Sequence, residues 1–287
     1  MDPATATADV ALSDQGEQLF DLFRRPQGRS RARPDERDVM EQARTSELAV
    51  NGEVAVVHHW GDGERPVLLV HGWESRASRY AKAVARLLGL GFSPVAFDAP
   101  GHGEATGETT TMLEYLDIIT ALHRAHGDFD AIVAHSFGAT ATFVALRQGV
   151  RARRVVAISA VPDFAYLVDA FSVGLSLGPD LDAEVRGRLE RQVYPGERDM
   201  WSRFSVFPGS ADVRIPLLFI HDEDDTMVDI GQGRRIAEAF GERARLVITR
   251  RLGHQRILGA PRVVEELAGF IAPDGEVRER KAGVAAR

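Results

Sequence analysis

The sequence predicts an α/β fold, with a mostly parallel central sheet and helices on both faces. Three observations carry that expectation. Runs such as Val67–Val70, Ala131–Ala134 and Leu217–Ile220 are apolar without interruption. They lack the alternation of a one-sided sheet and so read as strands buried on both faces. Segments with helical spacing separate them, which is the pattern of right-handed parallel crossovers. Finally, residues able to do chemistry stand directly after the strands, where an open parallel sheet places its crevice.

Taken in order, residues 1–45 read as a partly flexible N-terminal extension, with a short amphipathic piece around Leu19, Phe20, Leu22 and Phe23 able to dock on the body. The run Arg24, Arg25, Arg29, Arg31, Arg33 and Arg37, broken by Pro26, Gly28 and Pro34, reads as a solvated linker. Glu53–His59 is rich in β-formers, Gly61-Asp62-Gly63 is a turn, and Pro66–Val70 is a strand, so the two strands are expected as a hairpin. Tyr80, Val84, Leu87 and Leu88 share one helical face that ends at Gly89 and Gly91. Val95–Phe97 is a further strand. Thr111 and Glu114 form a capping box for a helix carrying Tyr115, Ile118, Ile119 and Leu122. The strand Ala131–Ala134, the helix after Ser136 and the strand Val155–Ile158 repeat the unit.

The alternation stops at Pro162 and resumes with Pro216–Ile220, a helix, Leu246–Ile248 and a last helix through Val263 and Phe270. Residues 46–162 and 213–272 therefore form the core, 163–212 a helical cap inserted after the strand ending near Ala160, and 273–287 a charged tail.

Composition narrows the classes. At 44% apolar and 27% charged residues the chain suits a globular domain, and a formal charge of −7 opposes general nucleic-acid binding. No apolar run reaches the roughly 20 residues of a membrane span. The chain contains no cysteine, which removes thiol nucleophiles and thiolate metal sites. Without a secretory-type start, the expected location is cytoplasmic. No glycine fingerprint for a nucleotide and no metal-ligand cluster is evident, so neither cofactor nor metal is expected.

The strand ends carry the functional signal. They read His71-Gly72-Trp73, Asp98-Ala99-Pro100-Gly101-His102-Gly103, His135-Ser136-Phe137-Gly138, His221-Asp222-Glu223-Asp224-Asp225 and Gly253-His254 in turn. A serine hydroxyl is a poor nucleophile unless a base lies within hydrogen-bond reach and a third group orients that base. Ser136, Asp225 and His254 supply nucleophile, acid and base in the order found where the nucleophile occupies a sharp strand-to-helix turn. Small neighbours suit such a turn, and Ala134 and Gly138 meet that need. His221 is the rival base. Asp222, Asp224 or Asp163 are the rival acids, although Asp163 also reads as a helix N-cap.

These motifs together resemble those of serine hydrolases of the α/β-hydrolase fold superfamily, and in particular small bacterial esterase- or thioesterase-like members. The resemblance spans roughly residues 48–270. Ala134 departs from the first glycine of the Gly-x-Ser-x-Gly elbow, and Asp222 replaces the glycine of a His-Gly-x-x-Asp motif. The resemblance implies an acyl-enzyme on Ser136 and backbone N–H donors at Trp73 and Phe137 for the oxyanion. It further implies that His71 and His102 brace their loops. Trp73, Phe164, Phe171 and Trp201 suggest an apolar pocket for a small ester or thioester. The alternatives are a non-catalytic ligand-binding member of the fold, a peptidase, or a cofactor-free peroxidase using the same three residues.

Overall fold

The computed structural model describes residues 13–273. The expectations for residues 1–12 and for the tail after 273 fall outside the described residues. Eight strands form a single sheet: β1 Arg44–Val50, β2 Glu53–His59, β3 Pro66–Val70, β4 Ser93–Asp98, β5 Ala131–His135, β6 Val155–Ile158, β7 Leu217–Asp222 and β8 Ala244–Thr249. Their spatial order is β1-β2-β4-β3-β5-β6-β7-β8. From β4 to β8 every neighbouring pair is parallel, while β1 and β2 pair antiparallel at one edge.

The uninterrupted strands behave as their composition requires. Leu68, Val70, Ile132 and Ala134 pack on one face, and Val67, Leu69, Ala131 and Val133 on the other. Helices α4 (Met112–His126), α5 (Phe137–Arg147) and α9 (Ile230–Phe240) cover the first face through Tyr115, Phe143 and Phe240. Helices α3 (Ala81–Gly89) and α11 (Pro261–Ile271) cover the second through Val84, Leu87, Val263 and Leu267. Each side chain in these rows is at most 2% exposed, so burial of apolar area on both faces drives the layering. The capping box on α4 is present, with the Glu114 N–H donating to Thr111 Oγ1 and the Thr111 N–H to Glu114 Oε2.

Two expectations are corrected. β2 does not pair with β3; it forms a hairpin with β1 and lies against β4. The missed signal is Asn51-Gly52, whose φ values of +51° and +84° match the turn that suits the right-handed twist of a two-residue hairpin. The arginine-rich segment is solvated, with Arg25, Arg29, Arg31, Arg33 and Arg37 exposed, but it is docked on the body and not a free linker. The Arg29 guanidinium donates to the carbonyls of Gly103, Ala105 and Gly107, and Arg25 pairs with Glu108 at 2.6 Å. A guanidinium carries five donors, so it can satisfy a loop whose carbonyls have no strand partner.

After β6 the chain runs through α6 (Phe164–Gly174), α7 (Pro179–Arg188) and α8 (Met200–Arg203) before entering β7. Helix α1 (Asp14–Arg24) lies beside α7, and a short α2 (Arg37–Glu41) leads into β1. A one-turn α10 (Gly253–Arg256) follows β8. Among the described residues no helix is long and apolar enough to cross a membrane.

Candidate active site

The turn between β5 and α5 places Ser136 at φ +53°, ψ −121°, a conformation that costs a non-glycine residue about 1–3 kcal/mol and persists only when the surroundings impose it. They do so here. The Ser136 N–H donates to the Ile158 carbonyl at 3.0 Å, and the Ser136 carbonyl accepts from Ala139 at 3.0 Å and Val161 at 3.4 Å. Gly138 is required because α5 passes tightly over β3: a Cβ there would lie 2.7 Å from the Val70 carbonyl oxygen and closer still to that of His71.

Three side chains from three strand ends meet at this turn. Ser136 Oγ lies 3.0 Å from His254 Nε2, and His254 Nδ1 lies 2.8 Å from Asp225 Oδ2. With the proton on Nδ1 donated to Asp225, Nε2 is left to accept from the serine. The other Asp225 oxygen accepts the N–H groups of Met227 at 2.9 Å and Val228 at 3.0 Å. Burial opposes ionisation of Asp225. The hydrogen bond and charge of His254 and these two amides outweigh it, and they hold the carboxyl well below the usual carboxylate range.

The rival residues have other occupations. His221 lies 2.8 Å from the Val228 carbonyl through Nε2, and the same nitrogen stands 3.6 Å from Asp225 Oδ2. Asp163 accepts the Tyr166 N–H at 2.8 Å as the N-cap of α6, and Asp224 accepts the Arg251 N–H at 2.7 Å. Asp222 is wholly buried and accepts four hydrogen bonds, from Asp224 N–H (3.1 Å), Gly253 N–H (3.0 Å), Leu252 N–H (3.2 Å) and the Thr249 hydroxyl (2.7 Å). It thus ties the loop carrying His254 to the end of β7. His135, whose Nε2 donates to the His254 carbonyl at 2.9 Å, supports that residue from below, their ring centroids 4.7 Å apart.

The histidine after β3 shapes the opposite side of the site. His71 Nδ1 lies 2.7 Å from the Gly72 carbonyl and 3.0 Å from the Tyr115 hydroxyl, while Nε2 accepts the Ala99 N–H at 3.1 Å. Because a peptide unit is planar, holding the Gly72 carbonyl also sets the direction of the Trp73 N–H. A Cβ on Gly72 would come within 2.8 Å of Ser136 Cβ, so glycine lets this peptide lie against the turn. His102 accepts the Glu74 N–H at 3.1 Å and donates to the Pro100 carbonyl at 3.0 Å, tying the two loops together.

Ser136 and His254 border a cavity of about 580 Å³. Trp73, Phe164 and Phe171 stand on its wall, as does Phe137. Trp201 does not. It sits behind Phe164, at 6.0 Å between ring centroids, with its indole N–H bound to Glu190 at 2.5 Å. Sequence reasoning missed Tyr194 and Met227 as lining residues, along with Leu22 and Phe23 from α1. The available signal was the amphipathic piece Leu19, Phe20, Leu22 and Phe23, whose apolar face is wider than Phe20 alone needs to anchor it to the core.

A family model described as the alpha/beta hydrolase family matches residues 67–267. The chain belongs to that family. The alpha/beta hydrolase is 25% identical over 268 aligned residues to a non-heme haloperoxidase of Rhodococcus erythropolis, covering 78% of this chain and 97% of that protein. Among solved structures, it resembles an esterase from Rhodococcus sp. ECU1013 (TM-score 0.58, 18% identity, 80% of this chain and 98% of that one). It also resembles a bromoperoxidase from Bacillus anthracis (TM-score 0.62, 16% identity, 80% of this chain and 100% of that one). At such identities the structural likeness concerns the fold.

Proposed function

We propose that the protein is a serine hydrolase that cleaves a carboxylic ester or thioester with a small apolar acyl group. The observation that carries this reading is the continuous chain from Ser136 Oγ through His254 to Asp225, opening on a largely apolar cavity. His254 Nε2 takes the serine proton as Oγ attacks the acyl carbonyl, and Asp225 holds the tautomer and stabilises the imidazolium that forms. The backbone N–H groups of Phe137 and Trp73 receive the oxyanion. Losing one such donor costs roughly 10²–10³ in turnover. His254 then protonates the leaving alcohol or thiol, and water activated by the same nitrogen releases the acid. Helices α6–α8 serve as the cap over the strand ends, with Tyr194 anchoring them to the body by accepting the Met112 N–H at 3.1 Å.

A second reading rests on the haloperoxidase relative. In it, hydrogen peroxide replaces water in attacking the acyl-enzyme, so a peracid leaves instead of an acid. Both readings pass through Ser136. Ser136→Ala is expected to abolish hydrolysis of p-nitrophenyl esters and labelling by a fluorophosphonate probe; a variant that keeps wild-type turnover would refute the proposal. Comparing acid and peracid release in the presence of peroxide separates the two readings.

A further inference from the structure

Helix α1 lies outside the region matched by the family model, which begins at residue 67. Yet it supplies a wall of the cavity that reaches Ser136, through Leu22 and Phe23. The Phe23 ring meets Phe171 edge-on with centroids 5.2 Å apart, and Phe164 at 6.0 Å and 90°. Phe23 therefore completes an aromatic wall whose other two members come from α6.

This placement is built, not incidental. At the start of the helix, the Ser13 N–H and hydroxyl donate to the two carboxylate oxygens of Glu184, each at 2.7 Å. Arg188 closes the cluster, bonding Glu184 at 3.0 Å and the Ser13 carbonyl at 3.1 Å. Glu184 and Arg188 are only 3% and 5% exposed, and Gly16 packs so closely on the Glu184 carboxylate that any side chain there would collide with it. Beyond the helix, the Gln27 N–H donates to Glu74 at 2.8 Å, next to Trp73. The helix is thus pinned to α7 at one end and to the loop beside Ser136 at the other.

We propose that α1 is the specificity wall of the cavity and that Phe23 sets how far the acyl chain can extend. The inference rests on the hydrolase reading above. We assign the apolar space continuous with Ser136 to the acyl group, which stays on Ser136 through both halves of the reaction while the alcohol departs after the first. Shortening Phe23 lengthens that space, and enlarging it shortens it. Each methylene that gains burial is worth roughly fourfold in kcat/KM.

The test measures kcat/KM for p-nitrophenyl esters from acetate to laurate with wild type, Phe23→Ala, Phe23→Trp and Ser13→Ala, the last loosening the helix by removing the hydroxyl that binds Glu184 and caps α1. Phe23→Ala is expected to favour the ester two carbons longer than the wild-type optimum by about tenfold relative to wild type. Phe23→Trp is expected to move the optimum the other way, and Ser13→Ala to move it in the direction of Phe23→Ala. A wall with no role in selection would leave the profile's shape unchanged, scaling every ester by one factor, and that result overturns the inference. Thermal melts identify a variant that fails to fold, in which case Phe23→Leu and Phe23→Trp decide. If Ser136 takes the fluorophosphonate label and the profile does not move, only the wall assignment fails. If wild type cleaves no ester and is not labelled, the hydrolase reading fails with it.

Discussion

Asp222 offers the sharpest test of how this site is held together. Its carboxylate accepts from four donors and from no acceptor: two backbone N–H groups on the Leu252–Gly253 turn, the Asp224 N–H and the Thr249 hydroxyl. Burial disfavours its charge, but the amides and the hydroxyl outweigh that and keep the carboxyl below the ordinary range. Asp222→Asn preserves the shape and removes this match. One of its two oxygens becomes an NH₂ group: at the Oδ1 position it faces two N–H donors, and at Oδ2 it faces the Leu252 N–H beside a Thr249 hydroxyl that can turn to accept. In the better orientation one of the four bonds, worth about 1.5–3 kcal/mol, is lost, and the other three weaken by about 1 kcal/mol each as the charge is removed. The sum is about 4.5–6 kcal/mol, which for a domain of this size corresponds to a fall in Tm of roughly 9–24 °C. Because Gly253 precedes His254, the proposed base also loses its support, and kcat is expected to drop about tenfold or more. Urea unfolding monitored by tryptophan fluorescence, together with ester turnover, measures both effects. An Asn variant within 1 kcal/mol of wild type and with unchanged kcat would refute the argument that the carboxylate's acceptor-only character organises the turn.

Two further outcomes follow from the geometry. Gly138→Ala places a methyl against the carbonyls of His71 and Val70, which are backbone and cannot swing aside; a loss of about 1–3 kcal/mol is expected, and an unchanged melting temperature would contradict it. His71, His102, His135 and His221 are each at most 1% exposed, and burial is the largest cause lowering their pKa, to about 3 for His102. In the unfolded chain they protonate below about pH 6.5 while the folded protein stays neutral, so their contribution to stability is complete above pH 6.5 and is lost as pH falls towards the folded values. For His102 the slope approaches about 1.4 kcal/mol per pH unit between pH 6.5 and 3; urea midpoints that stay level from pH 7.5 to 5 would rule this out.

What was legible in the sequence is what local physics decides. Apolar runs, helical spacing and the Thr111–Glu114 box act within a few residues, so the layered sheet and the order Ser136, Asp225, His254 could be read from the chain. The Asn51-Gly52 hairpin was equally local, and was obscured only by the stronger apolar run of β3. Tertiary structure alone decided the rest, because those choices join residues far apart. Ser13 reaches Glu184 across 171 positions, and Asp222 binds a turn about 30 residues away. Trp201 and Phe23 show the same limit, since both are aromatic residues near capable helices. Only the packing of α1 against α6 and α7 puts Phe23 on the cavity wall and leaves Trp201 behind it. A side chain's chemistry is written in its residue type, but the space it faces is set by which distant surfaces bury each other.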